Sequence, residues 1–172
     1  MTDRYQVDDV VLEKLNDGRI AFHGWDREAD EAAEALGFEP STPLLLWQQM
    51  KTKSLEQALI HMCLRGRLEA VKALVWLGAD ITSNEYAAFR FAATRDNTEL
   101  TVYLLELGAD LGSLSGTERQ VMIFGGHTAS IKLLLPLGTF DEDLEHWIDE
   151  AKRYRRPEIE RLLKKRKRQV AA

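Results

Sequence analysis

A tripeptide that recurs at a fixed interval restricts this chain more than any other feature. Gly78-Ala79-Asp80 returns thirty residues later as Gly108-Ala109-Asp110, with Leu77 and Leu107 before the glycines and Ile81 and Leu111 after the aspartates. A further thirty residues lead to Gly138, again preceded by leucine, in the degraded copy Leu133-Leu134-Leu135-Pro136-Leu137-Gly138. Upstream of each glycine, residues stand in register at i, i+3 and i+4: Val71, Leu74 and Val75, then Thr101, Leu104 and Leu105, then Ile131, Leu134 and Leu135. That spacing is one face of a helix, and the glycine suits the left-handed residue that ends it.

Ahead of each such helix lies a second helical stretch, over residues 58–64, 88–94 and 121–124. These close in Arg65-Gly66-Arg67, Arg95-Asp96-Asn97 and Gly125-Gly126-His127. Each unit reads helix, tight turn, helix, loop. A helix pair this short cannot bury its apolar faces alone, so the units are expected to stack into a solenoid.

The stretch Gly66-Arg67-Leu68-Glu69-Ala70-Val71-Lys72, followed by Leu74-Val75 and Gly78-Ala79-Asp80, resembles the ankyrin repeat family; Ala92-Ala93 and Gly126-His127 fill matching slots in the other copies. The resemblance spans about residues 54–140 and implies an all-α, ankyrin-type helical repeat solenoid with capping helices. Two departures matter. The family's Thr-Pro-Leu-His opening is replaced by Gln57-Ala58-Leu59-Ile60, Ala87-Ala88-Phe89-Arg90 and Thr117-Glu118-Arg119-Gln120. The period is 30 rather than about 33, and the deficit falls at Thr82-Ser83-Asn84-Glu85, so the projecting β-hairpin loops are expected to shrink to simple turns.

The flanks read as caps. Residues 141–154 and 157–167 each carry an apolar stripe, Trp147, Ile148 and Ala151 on one and Ile159, Leu162 and Leu163 on the other, and Pro157 suits a first helical position. Upstream, residues 43–51 form a helix capped by Ser41-Thr42, and residues 26–36 form another ended by Gly37. Residues 7–15 fit a helix, Asp17-Gly18 a turn, and residues 19–25 a short extended segment. The expected organisation is an N-terminal appendage or cap over residues 1–40 and a repeat array with its C-terminal cap over residues 41–172.

Composition narrows the class. At 172 residues, 45% hydrophobic and 30% charged, the chain suits one folded body rather than two independent domains. No apolar run approaches the roughly 20 residues that cross a bilayer. The opening Met1-Thr2-Asp3-Arg4 is polar, so neither leader nor membrane span is expected. Cys63 has no second cysteine to pair with, which makes the cytoplasm the expected compartment.

No catalytic constellation emerges. Cys63 aligns with Ala93, a small position between helices, and reads as a packed thiol. His23, His61, His127 and His146 are scattered without ligand spacing, and the acidic residues Asp141, Glu142 and Asp143 near His146 are explained by a helix dipole. His127 belongs to the inter-helix turn. The stretch Gly112-Ser113-Leu114-Ser115-Gly116-Thr117 lacks the spacing and lysine of a phosphate loop. The expectation is no enzyme, no metal and no cofactor.

What remains is recognition. Trp76 takes the slot of Glu106 and Pro136, which makes it either an exposed anchor or a residue packed under the N-terminal cap. With the loops shortened, Glu85, Arg90, Arg95 and Arg119 are the charged residues expected on the helical face and loop ends. Residues 151–172 hold ten Lys and Arg against two Asp and Glu, so a tail of +8 follows a body of −13. An acidic body steers basic partners. Lys164, Lys165, Arg166, Lys167 and Arg168 then either compensate the last helix's negative end, act as a localisation signal, or touch nucleic acid, a use the acidic body disfavours. The resulting expectation is a non-catalytic protein–protein interaction module with no membrane role. By resemblance to small ankyrin-like proteins of viruses and bacteria, that implies an inhibitor, immunity or host-modulating protein. A nucleic-acid-associated protein that uses its basic tail is the alternative.

Overall fold

The structure is a computed structural model and describes residues 4–171. It is predominantly helical, with ten α-helices and one small antiparallel sheet among the described residues. The chain divides into two units, one ending at Ile81 and the other beginning at Thr82.

The first unit corrects the all-α expectation. Strands β1 (Arg4–Val7), β2 (Val10–Lys14) and β3 (Ile20–His23) form a meander in which Val7 pairs with Val10 and Leu12 with Phe22. Residues 7–15 are thus a hairpin arm rather than a helix. Valines at 7, 10 and 11 have helical spacing, but Asp8 at φ 50° turns the chain between β1 and β2, and in β2 the buried Val10 and Leu12 alternate with the less buried Val11. Val7, Val10 and Leu12 are buried. Segment 19–25 is extended as expected, through β3.

Four helices complete this unit: α1 (Arg27–Ala35), α2 (Thr42–Thr52), α3 (Leu55–Leu64) and α4 (Leu68–Leu77). Ser41 caps α2 through the Leu44 amide, with Pro43 in its first turn, and Ser54 and Gln57 form a reciprocal capping box on α3. Leu44, Leu45, Leu46, Leu59, Met62 and Leu74 are fully buried where α2, α3 and α4 meet, and β1 lies against α4. α1 differs from its neighbours in burying none of its residues.

The second unit comprises α5 (Ser83–Ala93), α6 (Thr98–Glu106), α7 (Gly116–Gly125), α8 (Thr128–Leu134), α9 (Leu144–Arg153) and α10 (Pro157–Val170). α6 packs on α8, α7 on α8 and α9, and α10 on α8 and α9. Leu100, Leu104, Ile131, Leu134, Phe140 and Leu163 are inaccessible to solvent. α5 opens in a left-handed turn at Asn84, Glu85 and Tyr86, with φ between 52° and 58°. Such a turn costs roughly 1–2 kcal/mol per non-glycine residue. The carbonyl of Asn84 accepts a bond from Arg90 Nη2 at 3.0 Å, which braces it. Between α6 and α7 the chain makes a single 3-10 turn over Leu111–Ser113, and the loop carries no strand.

One backbone device recurs four times. Arg67, Asn97, His127 and Arg156 each open a second helix with φ between −108° and −72° and ψ between 69° and 84°. Each amide donates to a carbonyl five residues back, on Met62, Ala92, Met122 and Ala151. Each is preceded by a left-handed residue: Gly66, Asp96, Gly126 and Arg155. The pair α9–α10 therefore repeats the same helix–turn–helix, a fourth copy that falls one residue out of the thirty-residue interval.

Candidate functional site

The residues singled out in the sequence do not form one constellation. Trp76, near the C-terminus of α4, is half-buried: Tyr5 of β1 stacks on its ring with centroids 5.4 Å apart. Lys14 of β2 sits 4.8 Å from the ring and donates to the Trp76 carbonyl at 2.8 Å, capping the end of α4. The tryptophan packs under the N-terminal sheet and is not an open anchor.

Of Glu85, Arg90, Arg95 and Arg119, only Glu85 and Arg95 are exposed. Arg90 of α5 pairs with Glu118 of α7 at 3.2 Å, and Arg119 approaches Glu142 at 3.9 Å. Burial works to raise the Glu118 carboxyl, but hydrogen bonds from Ser115 and the charge of Arg90 outweigh it and leave it below the ordinary carboxylate range. Arg90 and Glu118 thus tie α5 to α7 and present little free charge.

What α5 and α7 build together is a groove of about 450 Å³ whose floor and walls include Phe91, Val121, Phe124, Arg95, Glu118 and His127. Helical spacing explains it: Phe91 stands one turn before Arg95, and Val121 and Phe124 stand three residues apart on α7. Their opposite faces, with Phe89, Ala92, Met122 and Ile123, are buried. Phe124 is 60% exposed and Phe91 38% exposed, although both are aromatic. Phe124 is held rather than loose. Its ring meets Tyr154 edge to face at 5.1 Å, and Arg156 Nε donates to its carbonyl at 3.1 Å.

The groove's polar wall is built on a small residue. A side chain at Gly125 would collide with the His127 imidazole, only 2.1 Å from where its Cβ would lie, so the glycine lets the ring settle over the end of α7. The His127 ring makes no hydrogen bond among the described residues and lines the groove.

The basic run at the C-terminus is largely spent internally. Arg166 pairs with Asp141, Lys167 with Glu145, and Lys164 with Glu160 at 2.5 Å. Lys165 and Arg168 make no ion pair among the described residues. Cys63 is fully buried, and burial pushes its thiol up to about 12.

Among the described residues no group of three or more His, Cys, Asp or Glu side chains is placed to hold a metal ion. Asp141 is engaged by Arg166, and Asp143 caps α9 through the His146 amide at 3.2 Å. No helix among the described residues is long and apolar enough to cross a membrane. In comparison with known protein families, no family model matches the chain.

The groove escaped the residue pattern because Phe91, Val121 and Phe124 carry the same apolar signature as core positions. Only the positions of α5 and α7 reveal that this face is left open.

Proposed function

We propose that this chain is a non-catalytic protein-binding module, and that the α5–α7 groove receives an apolar side chain of its partner. The observation that carries this reading is the exposure of Phe91, Val121 and Phe124 around one groove within a well-packed unit. Rigid, partly exposed aromatics flanked by Arg are the composition of interface hot spots. Arg95 on the rim favours a partner that carries a carboxylate beside its apolar anchor.

An ankyrin-like reading of the repeats supports the same use. Recurrence of one turn at residues 67, 97, 127 and 156, with glycine terminators at 78, 108 and 138, supports reading the helix pairs as ankyrin-like repeats, with α9 and α10 as the last pair. In such arrays the first helices of successive units line a shared recognition face. An inhibitory or neutralising role toward a partner protein is consistent with that face. The nucleic-acid reading is less favoured, because three of the five tail cations are committed to carboxylates of the same unit.

The test compares proteins captured from source-cell lysate by the wild type, by Phe124→Asp, and by a variant with Lys164, Lys165, Arg166, Lys167 and Arg168 changed to glutamine. The expected result is a partner retained by the tail variant and lost by Phe124→Asp. Loss from a folded tail variant, with retention by Phe124→Asp, would reject the groove.

A further inference from the structure

The first unit holds a second aromatic surface, and its surroundings carry the opposite charge to the tail. Phe22 of β3, Trp25 and Trp47 of α2 form a row, Phe22 tilted against Trp25 with centroids 5.2 Å apart and Trp25 edge to face with Trp47 at 6.1 Å. They border an open pocket of about 610 Å³, rimmed by Asp26, Arg27 and Glu28 at the start of α1. Segment 26–39 holds six carboxylates against one arginine. Of the six, Glu31 pairs with Arg27 and Glu39 with Arg67, while Glu28 faces solvent without a cation among the described residues.

The pocket's chemistry is visible in what already touches it. Arg27 places its guanidinium 4.9 Å from the Trp47 ring, and Lys51 places its ammonium 3.9 Å from the same ring. Such a ring attracts cations through its quadrupole, and neighbouring carboxylates add to the attraction. Trp25 is fixed by its indole bond to Asp30 at 2.7 Å, and Ser41 donates to the same carboxylate. Arg27 is not fixed in this way: its ion pair with Glu31, at 3.8 Å, is exposed. It occupies the site as a displaceable internal cation.

α1 itself is poorly covered. It buries no residue, and the segment following it leaves Leu36 79% and Phe38 67% exposed. An acidic helix with an open apolar end beside an aromatic pocket complements a chain segment rich in arginine.

We propose that Phe22, Trp25 and Trp47, with the acidic start of α1, form a docking site for an arginine-rich segment of a partner protein, one guanidinium displacing Arg27 from the Trp47 ring. This site is independent of the α5–α7 groove. It assigns the basic-partner expectation to particular residues.

Fluorescence anisotropy with a fluorescein-labelled hexa-arginine peptide tests it at low and moderate salt. Wild type should bind, and Trp47→Ala should weaken binding by about 10-fold, the scale of a partly desolvated cation–π contact. Arg27→Ala should tighten it by about 3-fold or more, because a competing charge is removed. Glu28→Lys, at an exposed position that leaves folding intact, should weaken it at least as much as Trp47→Ala, whereas Glu99→Lys in the other unit and Phe124→Asp should leave it unchanged. Equal weakening by Glu28→Lys and Glu99→Lys would overturn the proposal in favour of diffuse electrostatics, as would an Arg27→Ala variant that binds more weakly. Self-association of the wild type, abolished by neutralising the tail, would overturn it in favour of a second copy's C-terminal helix as the occupant.

Discussion

Arg166 of α10 forms a two-pronged bond with Asp141, Nε to Oδ1 at 2.8 Å and Nη2 to Oδ2 at 2.5 Å, across 25 residues of chain. Planar forks of this kind are the stronger sort of ion pair. A residue that appears in sequence as part of a basic patch is, in the fold, a clamp on the last helix.

The clamp sets an acid limit on the docking of α10. The bond from Arg166 holds the Asp141 carboxyl below its ordinary 3.8, so the pair contributes stability above that pH and loses it as pH falls through the depressed value. Asp141→Asn should speed amide hydrogen exchange in α10 at neutral pH. It should also remove part of the stability lost on acidification below about pH 4. Lys165→Gln, at a position with no ion pair, should change neither.

The fourth turn predicts an opposite pair of glycine effects. Arg155 holds φ 55° without a side-chain hydrogen bond or ion pair among the described residues, whereas Asp96 at φ 58° accepts the Ser130 amide at 2.7 Å through its carboxylate. Relief of left-handed strain is worth roughly 1 kcal/mol. Arg155→Gly should therefore raise stability to denaturant by up to about 1 kcal/mol, and Asp96→Gly should lower it because it strands a buried amide.

The core predicts its own sensitivity. Leu104 is inaccessible where α6 meets α8, so Leu104→Asp should cost about 3 kcal/mol or more and shift thermal unfolding steeply downward. An unchanged midpoint would contradict the register of the repeats.

Cys63 should be chemically silent. Burial pushes its thiol from the ordinary 9.0 up to about 12, so the reactive thiolate is scarce near neutrality, and the sulfur is buried as well. Maleimide labelling of the native protein should be slow and should become rapid in denaturant.

The helices were legible because Val71, Leu74, Thr101, Leu104, Ile131 and Leu134 repeat at helical spacing and are all buried. The N-terminal sheet was not. Valines at 7, 10 and 11 carry the i, i+3, i+4 spacing of a helix, whereas the chain turns at Asp8 and pairs Val7 with Val10 and Leu12 with Phe22. The charged candidates were misleading for a different reason: Arg90 and Arg119 find Glu118 and Glu142 through packing that leaves no trace in local spacing. Trp76 had two readings in the sequence, and the packing of Tyr5 on its ring selects the covered one.

Site-specific photo-crosslinking separates the α5–α7 groove from the basic tail as the place where a partner binds. A benzophenone amino acid is placed at Val121, inside the groove, and in a separate protein at Lys165, on the free side of α10, and both are irradiated in source-cell lysate. Position 121 should give a discrete covalent adduct that disappears when Phe124→Asp is added, and position 165 should give none. An adduct from position 165 with none from position 121 would contradict binding in the groove.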